Sequence, residues 1–242
     1  MALLNVKKLL NNKSALFANI FGGVLALGSS IQANAIPFNV DITVDNSYAL
    51  YYGTETEATT FVGSDGWWPT VESYNFDLPE NNFIYVVTQS DLAVAQGFLA
   101  QFTNLTTNER FYSNDSQWEV TATGRYGHAP YTNSAADFAE LTSQLLLANA
   151  GTNPSGGWTH TTAGAANGAA PWGALAAIDS AAHWSWYDSK NDGSNPTSPA
   201  FNHDEYLVFR ISVGATSVPE PSAFILLGFG LLGLSLARKR HA

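Results

Sequence analysis

The feature that most restricts the fold of this chain is a series of short β-type segments between residues 38 and 125. β-Branched and aromatic residues are concentrated in these segments, and clusters of Gly, Pro, Asn and Asp separate them. Strands of this kind, recurring every ~8–12 residues, predict a β-sandwich or barrel. The segments are 38–52, 59–62, 71–78, 83–88, 98–102, 110–112 and 118–123, and two more, 183–187 and 206–213, follow later.

One stretch has the period of a helix instead. Ser134 is a suitable N-cap, and Asp137 stands three residues later as its partner in a capping box. Gly151 marks the end of the helix. Between them lies an apolar stripe at helical spacing, formed by Phe138, Leu141, Leu145 and Ala148. We therefore expect one α-helix inserted into a mainly β fold.

Residues 151–174 show neither period and are dominated by Gly, Ala, Thr, Asn and Pro. We interpret them as a long surface excursion that Trp158 and Trp172 hold in place. With the helix, they form a predicted helical and loop insertion over residues 133–174. The whole domain, residues 36–217, is long enough to bury a core of its own.

The chain contains no cysteine, so neither a disulfide nor a thiolate metal site can stabilise it. All seven tryptophans lie between Trp67 and Trp186. Large aromatic side chains bury much apolar surface, and we expect most of them in the core.

The charge of residues 36–217 excludes one class of function. This part of the chain holds four of the ten Lys and Arg residues and 19 of the 20 Asp and Glu residues, for a net charge near −15. Phosphate recognition needs clustered Lys and Arg, so the domain does not bind nucleic acid. Divalent cations or polycationic partners are compatible with such a surface.

The N-terminal segment, residues 1–35, has the organisation of a signal peptide. Three lysines precede a mostly apolar run at residues 15–28, and Ala33-Asn34-Ala35 gives the small-x-small pattern of a cleavage site. We expect export through the Sec machinery and signal peptidase cleavage after Ala35, so that the mature chain begins at Ile36.

The last 25 residues, 218–242, have three parts with different physical roles. Val218-Pro219-Glu220-Pro221 is held extended by its prolines, and 15 apolar residues, 223–237, follow as a predicted transmembrane helix. Such a helix is about 22 Å long, shorter than the ~30 Å hydrocarbon core, so the bilayer must thin locally. Arg238, Lys239 and Arg240 would stay on the cytoplasmic side of the inner membrane.

This arrangement closely resembles the PEP-CTERM sorting signal of bacterial envelope proteins, in which an exosortase is the processing enzyme. The resemblance covers Val218 to Ala242 in order. It implies an exosortase-like peptidase as a partner and a Gram-negative bacterium that makes extracellular polysaccharide. The protein would then lie in the cell envelope or extracellular matrix, released or anchored after processing.

A second resemblance concerns the domain. The run from Asp45 to Gly53 is similar to a hairpin of galactose-binding-like jelly rolls, which occur beside glycosidases and in lectin-like proteins. Further similar segments are Asn82 with Tyr85-Val86-Val87, Asp115 to Trp118, Trp184-Ser185-Trp186 and Val208-Phe209-Arg210. The resemblance implies an antiparallel β-sandwich of jelly-roll type, from which the insertion at 133–174 departs.

The sequence shows no recognisable catalytic apparatus. It contains no Gly-x-Ser-x-Gly, His-Glu-x-x-His or Walker-type loop, and its histidines do not stand at metal-ligand spacing. We expect no enzyme and no cofactor. Neighbouring acids such as Glu55/Glu57 and Asp204/Glu205 leave an envelope hydrolase as an alternative.

Residues 188–195 are rich in oxygen ligands, as calcium loops are, but they lack the acid spacing of an EF-hand and include Lys190. We interpret them as a solvated loop, with bound Ca²⁺ as the alternative.

Trp67-Trp68 follows Gly66 and precedes Pro69, which suggests a loop. Exposed rings would offer a platform for sugars, with Asp65 and Glu72 as acceptors for hydroxyl groups, whereas buried rings would belong to the core. The leading hypothesis is a structural or adhesive component of an exopolysaccharide matrix, biofilm or floc. A lectin-like carbohydrate-binding module is the alternative.

Overall fold

A computed structural model describes residues 35–90, 95–126, 130–187 and 205–213. The predicted signal peptide (residues 1–35) except for Ala35, the predicted loop at 188–195, and the sorting tail with its predicted transmembrane helix lie outside the described residues. Within them, no helix is both long and apolar enough to cross a membrane.

Twelve strands and one helix make up the described part of the chain. The strands are β1 (Ala35–Asp45), β2 (Ser47–Thr54), β3 (Glu57–Asp65), β4 (Glu72–Pro79), β5 (Phe83–Gln89), β6 (Gly97–Asn104), β7 (Arg110–Tyr112), β8 (Glu119–Tyr126), β9 (Thr159–His160), β10 (Thr162–Ala166), β11 (His183–Trp186) and β12 (Glu205–Ser212), and the helix is α1 (Ala135–Asn149). Each strand segment predicted from the sequence contains or overlaps one of these elements.

The strands form two antiparallel sheets. Sheet A has the order β10-β11-β6-β1-β4, with β7 also paired to β6, and sheet B has the order β3-β2-β5-β12-β8-β9. A common core of side chains from both sheets lies between them, with β1 contributing Phe38, Val40, Ile42 and Val44 at every second position. The architecture is mainly β and consistent with the predicted β-sandwich.

Helix α1 covers the outer face of sheet B. As predicted, the Asp137 backbone N–H donates to Ser134 Oγ (3.1 Å), and the Ser134 hydroxyl donates to the Asp137 carboxylate (2.7 Å). The predicted stripe packs against sheet B residues such as Tyr51. Gly151 follows the C-cap with φ +67° and donates to the Ala148 carbonyl, the left-handed stop that glycine adopts without strain.

The excursion at 151–174 is more ordered than the sequence indicates. It contributes β9 to the edge of sheet B and β10 to the edge of sheet A. Both strands are short, and β10 consists of Thr, Ala and Gly, so neither produces a hydrophobic pattern. The expectation that this segment lacks strands is wrong, because backbone pairing to distant partners orders it.

The two ends of the sandwich carry different parts of the chain. At one end, which we call the exit end, β1 starts with Ala35 opposite Pro79, the last residue of β4, and β12 finishes with Ser212 opposite Phe83. The opposite end, which we call the far end, carries the β1–β2 connection at Asn46 and the loop of residues 66–71. Both flanking segments of the chain therefore join the domain at the exit end.

Candidate functional site

The candidate site is the Trp67 loop, residues 66–71, which carries the chain from sheet B to sheet A at the far end. Its backbone is fixed near Trp67. The Trp67 N–H donates to Asp65 Oδ2 (2.6 Å), and its carbonyl accepts from the Thr70 N–H (3.1 Å) and hydroxyl (3.0 Å). The loop is therefore held in one shape by bonds at both sides of Trp67.

The two neighbouring tryptophans have different surroundings. Trp67 is 64% exposed, more than any other large apolar side chain in the described part of the chain. Trp68 is half-buried and packs against a cluster that includes Trp172 and Trp184, and its carbonyl accepts from the Thr43 hydroxyl (2.8 Å). The sequence left exposure and burial of the pair open, and the structure assigns Trp67 to solvent and Trp68 to packing.

The Trp68 cluster lies on the outer face of sheet A. Trp172 and Trp184 stack with centroids 4.0 Å apart, and Trp172 Nε1 donates to the buried Asp45 carboxylate (2.7 Å). Asn167 holds the segment that carries Trp172, because its amide donates to two carbonyls and accepts the Leu175 N–H. The excursion is thus tied down by Trp172, as predicted.

Beneath the loop, a hydroxyl pair contacts Glu72. Tyr48 Oη lies 3.1 Å from Tyr74 Oη and 3.4 Å from Glu72 Oε2, and the Thr70 hydroxyl is 2.7 Å from Glu72 Oε1. Burial raises the pKa of Tyr48 far above its ordinary value, and the bond to Tyr74 and the charges of Glu72 and Asp65 raise it further. Burial also raises the pKa of Tyr74. Both phenols are therefore neutral hydrogen-bond donors.

A glycine makes room for this pair. A Cβ atom on Gly63 would lie 2.2 Å from the Tyr74 ring, so the ring packs directly on the β3 backbone. Tyr74 and Thr70 were not predicted as residues of this site from the sequence. The Asp-x-Trp spacing at 65–67, typical of an Asx turn, was the available signal for the loop geometry.

The charge at the loop is negative. Asp65 and Glu72 stand at its two ends, and the arginines of the described residues face carboxylates elsewhere: Arg110 lies near Asp179 (3.8 Å), Arg125 binds Glu140 (2.7 Å) and Arg210 binds Glu119 (2.7 Å). Within the described ranges, no group of three or more His, Asp or Glu residues could hold a metal ion.

The acids that suggested a hydrolase are not part of this site. Glu55 and Glu57 lie exposed at the turn between β2 and β3, at the exit end. Glu205 begins β12, and Asp204 precedes the described residues of that strand.

Residues 217–240 match the model of the PEP-CTERM protein-sorting motif. The chain therefore carries a PEP-CTERM sorting motif. The match covers the residues predicted for sorting, from Val218 to Arg240, and a PEP-CTERM signal directs exosortase sorting to the cell envelope or the extracellular space. No curated protein and no solved structure matches the chain. The galactose-binding-like resemblance is not confirmed, and the jelly-roll topology stays a prediction.

Only a few residues separate the end of the domain from the PEP-CTERM motif. Strand β12 ends at Ser212, and the matched motif begins at residue 217. Six residues separate Ser212 from Pro219, so the two Cα atoms are at most about 25 Å apart. A short segment of the chain therefore connects the sorting signal to the exit end.

Proposed function

We propose that this protein is exported by the Sec machinery, processed by an exosortase-like peptidase, and used as a structural or adhesive component of an extracellular polysaccharide matrix, biofilm or floc. The PEP-CTERM motif at residues 217–240 is the observation that carries the proposal. A Gram-negative bacterium is the host that fits it. Until processing, the tail would hold the protein in the inner membrane. The protein would act without catalysis and without a cofactor.

The position of the two flanking segments supports this proposal. The predicted signal peptidase site is at the first residue of β1, and the sorting signal follows β12, both at the exit end. A precursor held by either segment therefore has the same end of the domain nearest the membrane. Cleavage at both sites would release the sandwich, and the pairing of Ala35 with Pro79 would be the one strand pairing of the described residues that is lost.

Replacement of Pro219-Glu220-Pro221 by alanines tests the sorting role. We expect the variant to remain in the inner membrane at full length, because the extended strip that the peptidase recognises is lost. Cell fractionation and intact-mass measurement report the outcome, and Thr216→Ala, just outside the motif, is the matched control. Normal trimming and release of the variant would contradict the proposal.

A second candidate function is carbohydrate binding, which the exposure of Trp67 favours. An indole ring offers an apolar face to the C–H groups of a pyranose, and the adjacent carboxylates can accept from its hydroxyls. The loop is already ordered by its own hydrogen bonds, so little conformational entropy is lost on binding.

Affinity electrophoresis through a gel that contains the polysaccharide of the producing cell tests this candidate, because a protein that binds the polysaccharide is retarded. We expect Trp67→Ala to abolish retention. Leu105→Ala is the control. Leu105 is also exposed, at 47%, but it lies at the exit end, where its backbone N–H donates to the Pro37 carbonyl. Equal retention of the two variants would exclude the Trp67 loop as the contact.

A further inference from the structure

The Trp67 loop presents an exposed indole ring and two carboxylates, those of Asp65 and Glu72. Ionised carboxylates accept hydrogen bonds and cannot donate them. Asp65 uses Oδ2 to accept from the Trp67 N–H, and Glu72 accepts from Thr70 at Oε1 and from Tyr48 at Oε2. The loop that carries the exposed indole therefore has a carboxylate, and with it negative charge, at each of its two ends.

We infer that this loop selects saccharides that lack acidic groups, neutral or aminated pyranose chains, over uronic-acid polymers. The inference rests on the proposed carbohydrate binding and names the class of sugar that the site takes.

Hydroxyl and ammonium groups match the site. A sugar hydroxyl can donate to a carboxylate oxygen, and bonds to an ionised acceptor are stronger than neutral ones. An amino sugar adds a full positive charge beside Asp65 and Glu72, and its cation can also lie against the indole face. Both kinds of sugar keep the apolar C–H face that the exposed ring of Trp67 can cover.

A uronic acid does not match it. Its carboxylate would face Asp65 and Glu72, and at 4 Å one such like-charge contact costs ~1 kcal/mol in water, about a fivefold loss of affinity. The arginines that could compensate are engaged with Asp179, Glu140 and Glu119. The net charge near −15 of residues 36–217 adds long-range repulsion of a polyanion.

The location of the loop makes the site accessible in the precursor as well. Strand β1 runs through 11 residues from the exit end to the far end, which is about 36 Å at ~3.3 Å per residue. The loop that carries the indole is therefore at the opposite end of the sandwich from Ser212, the last residue of β12, and an external polymer can reach it there.

The test is calorimetric titration of the full-length chain in detergent with three hexamers: a neutral β-1,4-glucan, a β-1,4-glucosamine chain and a mannuronate chain. We expect the first two to bind and the uronate to bind at least tenfold more weakly at 150 mM salt, a value chosen so that the Debye length is about 8 Å. Trp67→Ala should weaken the neutral hexamer at least tenfold.

A charge-removing variant completes the experiment. Asp65→Asn with Glu72→Gln keeps an acceptor at each position and removes both charges. It should reduce the ratio of glucan affinity to uronate affinity about fivefold. Asp65→Asn alone should show a smaller shift in the same direction, which covers the case in which the double variant fails to fold.

Three results would overturn the inference: uronate binding as tight as glucan binding, no binding of any hexamer, or glucosamine binding that is unchanged in Trp67→Ala while the glucan does not bind. The affinities are independent of export, so a failure of the sorting proposal appears only in cell fractionation and is distinguishable from these results.

Discussion

Trp158 near the exit end and Trp67 at the far end show two opposite uses of the same side chain. The guanidinium of Arg210 lies 3.8 Å from the Trp158 ring centroid, and the Trp158 indole N–H donates to Asn149 (2.7 Å). Trp67, in contrast, is 64% exposed, although the loop around it is fixed. One aromatic surface is thus closed by a cation at the exit end, and the other is left exposed to solvent at the far end.

Arg210 organises the closed end. It is 7% exposed, it binds Glu119 and Asn149, and it lies between the rings of Trp158 and Phe83. Because β12 continues into the sorting segment, this cluster secures the strand from which the tail leaves. At the far end of β8, in contrast, the side chain of Arg125 is 46% exposed and binds Glu140.

The largest loss of stability is expected at the support of the far end, not at its surface. Trp172→Ala removes a buried ring, its stack on Trp184 and its bond to Asp45, which we expect to cost ~3–5 kcal/mol. Chemical denaturation measures the loss. Trp172→Phe keeps a ring and should cost clearly less, and equal losses would mean that the ring contributes little.

At the exit end, Arg210→Ala should cost about 3 kcal/mol, because it leaves Glu119 without its partner and uncovers Trp158. Arg210→Lys keeps the charge without the planar fork and should lose only part of that. A denaturation midpoint that is unchanged in Arg210→Ala would show that the exit end does not depend on this cluster.

The two adjacent tryptophans sharpen the contrast within a single loop. We expect Trp68→Ala to cost about 2 kcal/mol, because the ring contributes to the cluster on sheet A. Trp67→Ala should change stability by less than about 0.5 kcal/mol, as for other exposed substitutions. Thermal melts of the two variants decide the matter, and losses of similar size would refute the division between display and packing.

Alkaline pH should destabilise both ends by a smaller, gradual amount. Burial raises the pKa of Tyr206 to about 12, and burial also raises the pKa values of Tyr48 and Tyr85. Unfolded tyrosines ionise near pH 10, so this stabilisation is complete below about pH 10 and is lost as pH rises towards the folded pKa values.

Denaturation midpoints between pH 8 and 12 should therefore stay level and then fall. Tyr48→Phe removes one of these groups and should make the decline less steep. A midpoint that is constant up to pH 12 would contradict the burial of these phenols.

Much of the sandwich could be predicted because its signals are local. Alternation marks the strands that face the common core, and Ser134 with its apolar stripe marks α1. Strands β9 and β10 were missed because their pairing depends on residues far along the chain rather than on a pattern of their own.

The site was predictable only in part, for the same reason. Trp67 and Trp68 are adjacent residues of the same type, and a bond from Thr43, 25 residues earlier, to the Trp68 carbonyl helps to fix the backbone at the packed ring. The link from Trp172 to Asp45 spans 127 residues. Contacts of this range follow from the folded arrangement and leave no trace in local composition.

The distance of each end from the membrane tests the central claim most directly. The natural chain has no cysteine, so Ser64→Cys at the far end and Glu80→Cys at the exit end each give one labelling site. Each substitution would be made in the variant in which Pro219-Glu220-Pro221 is replaced, because that precursor is expected to retain its tail. The labelled precursors would then be reconstituted in vesicles whose lipid headgroups carry a quencher. We expect strong quenching of the fluorophore at residue 80 and little quenching at residue 64. Equal quenching at the two sites, or stronger quenching at residue 64, would contradict the assignment of one end to the membrane and the other to display.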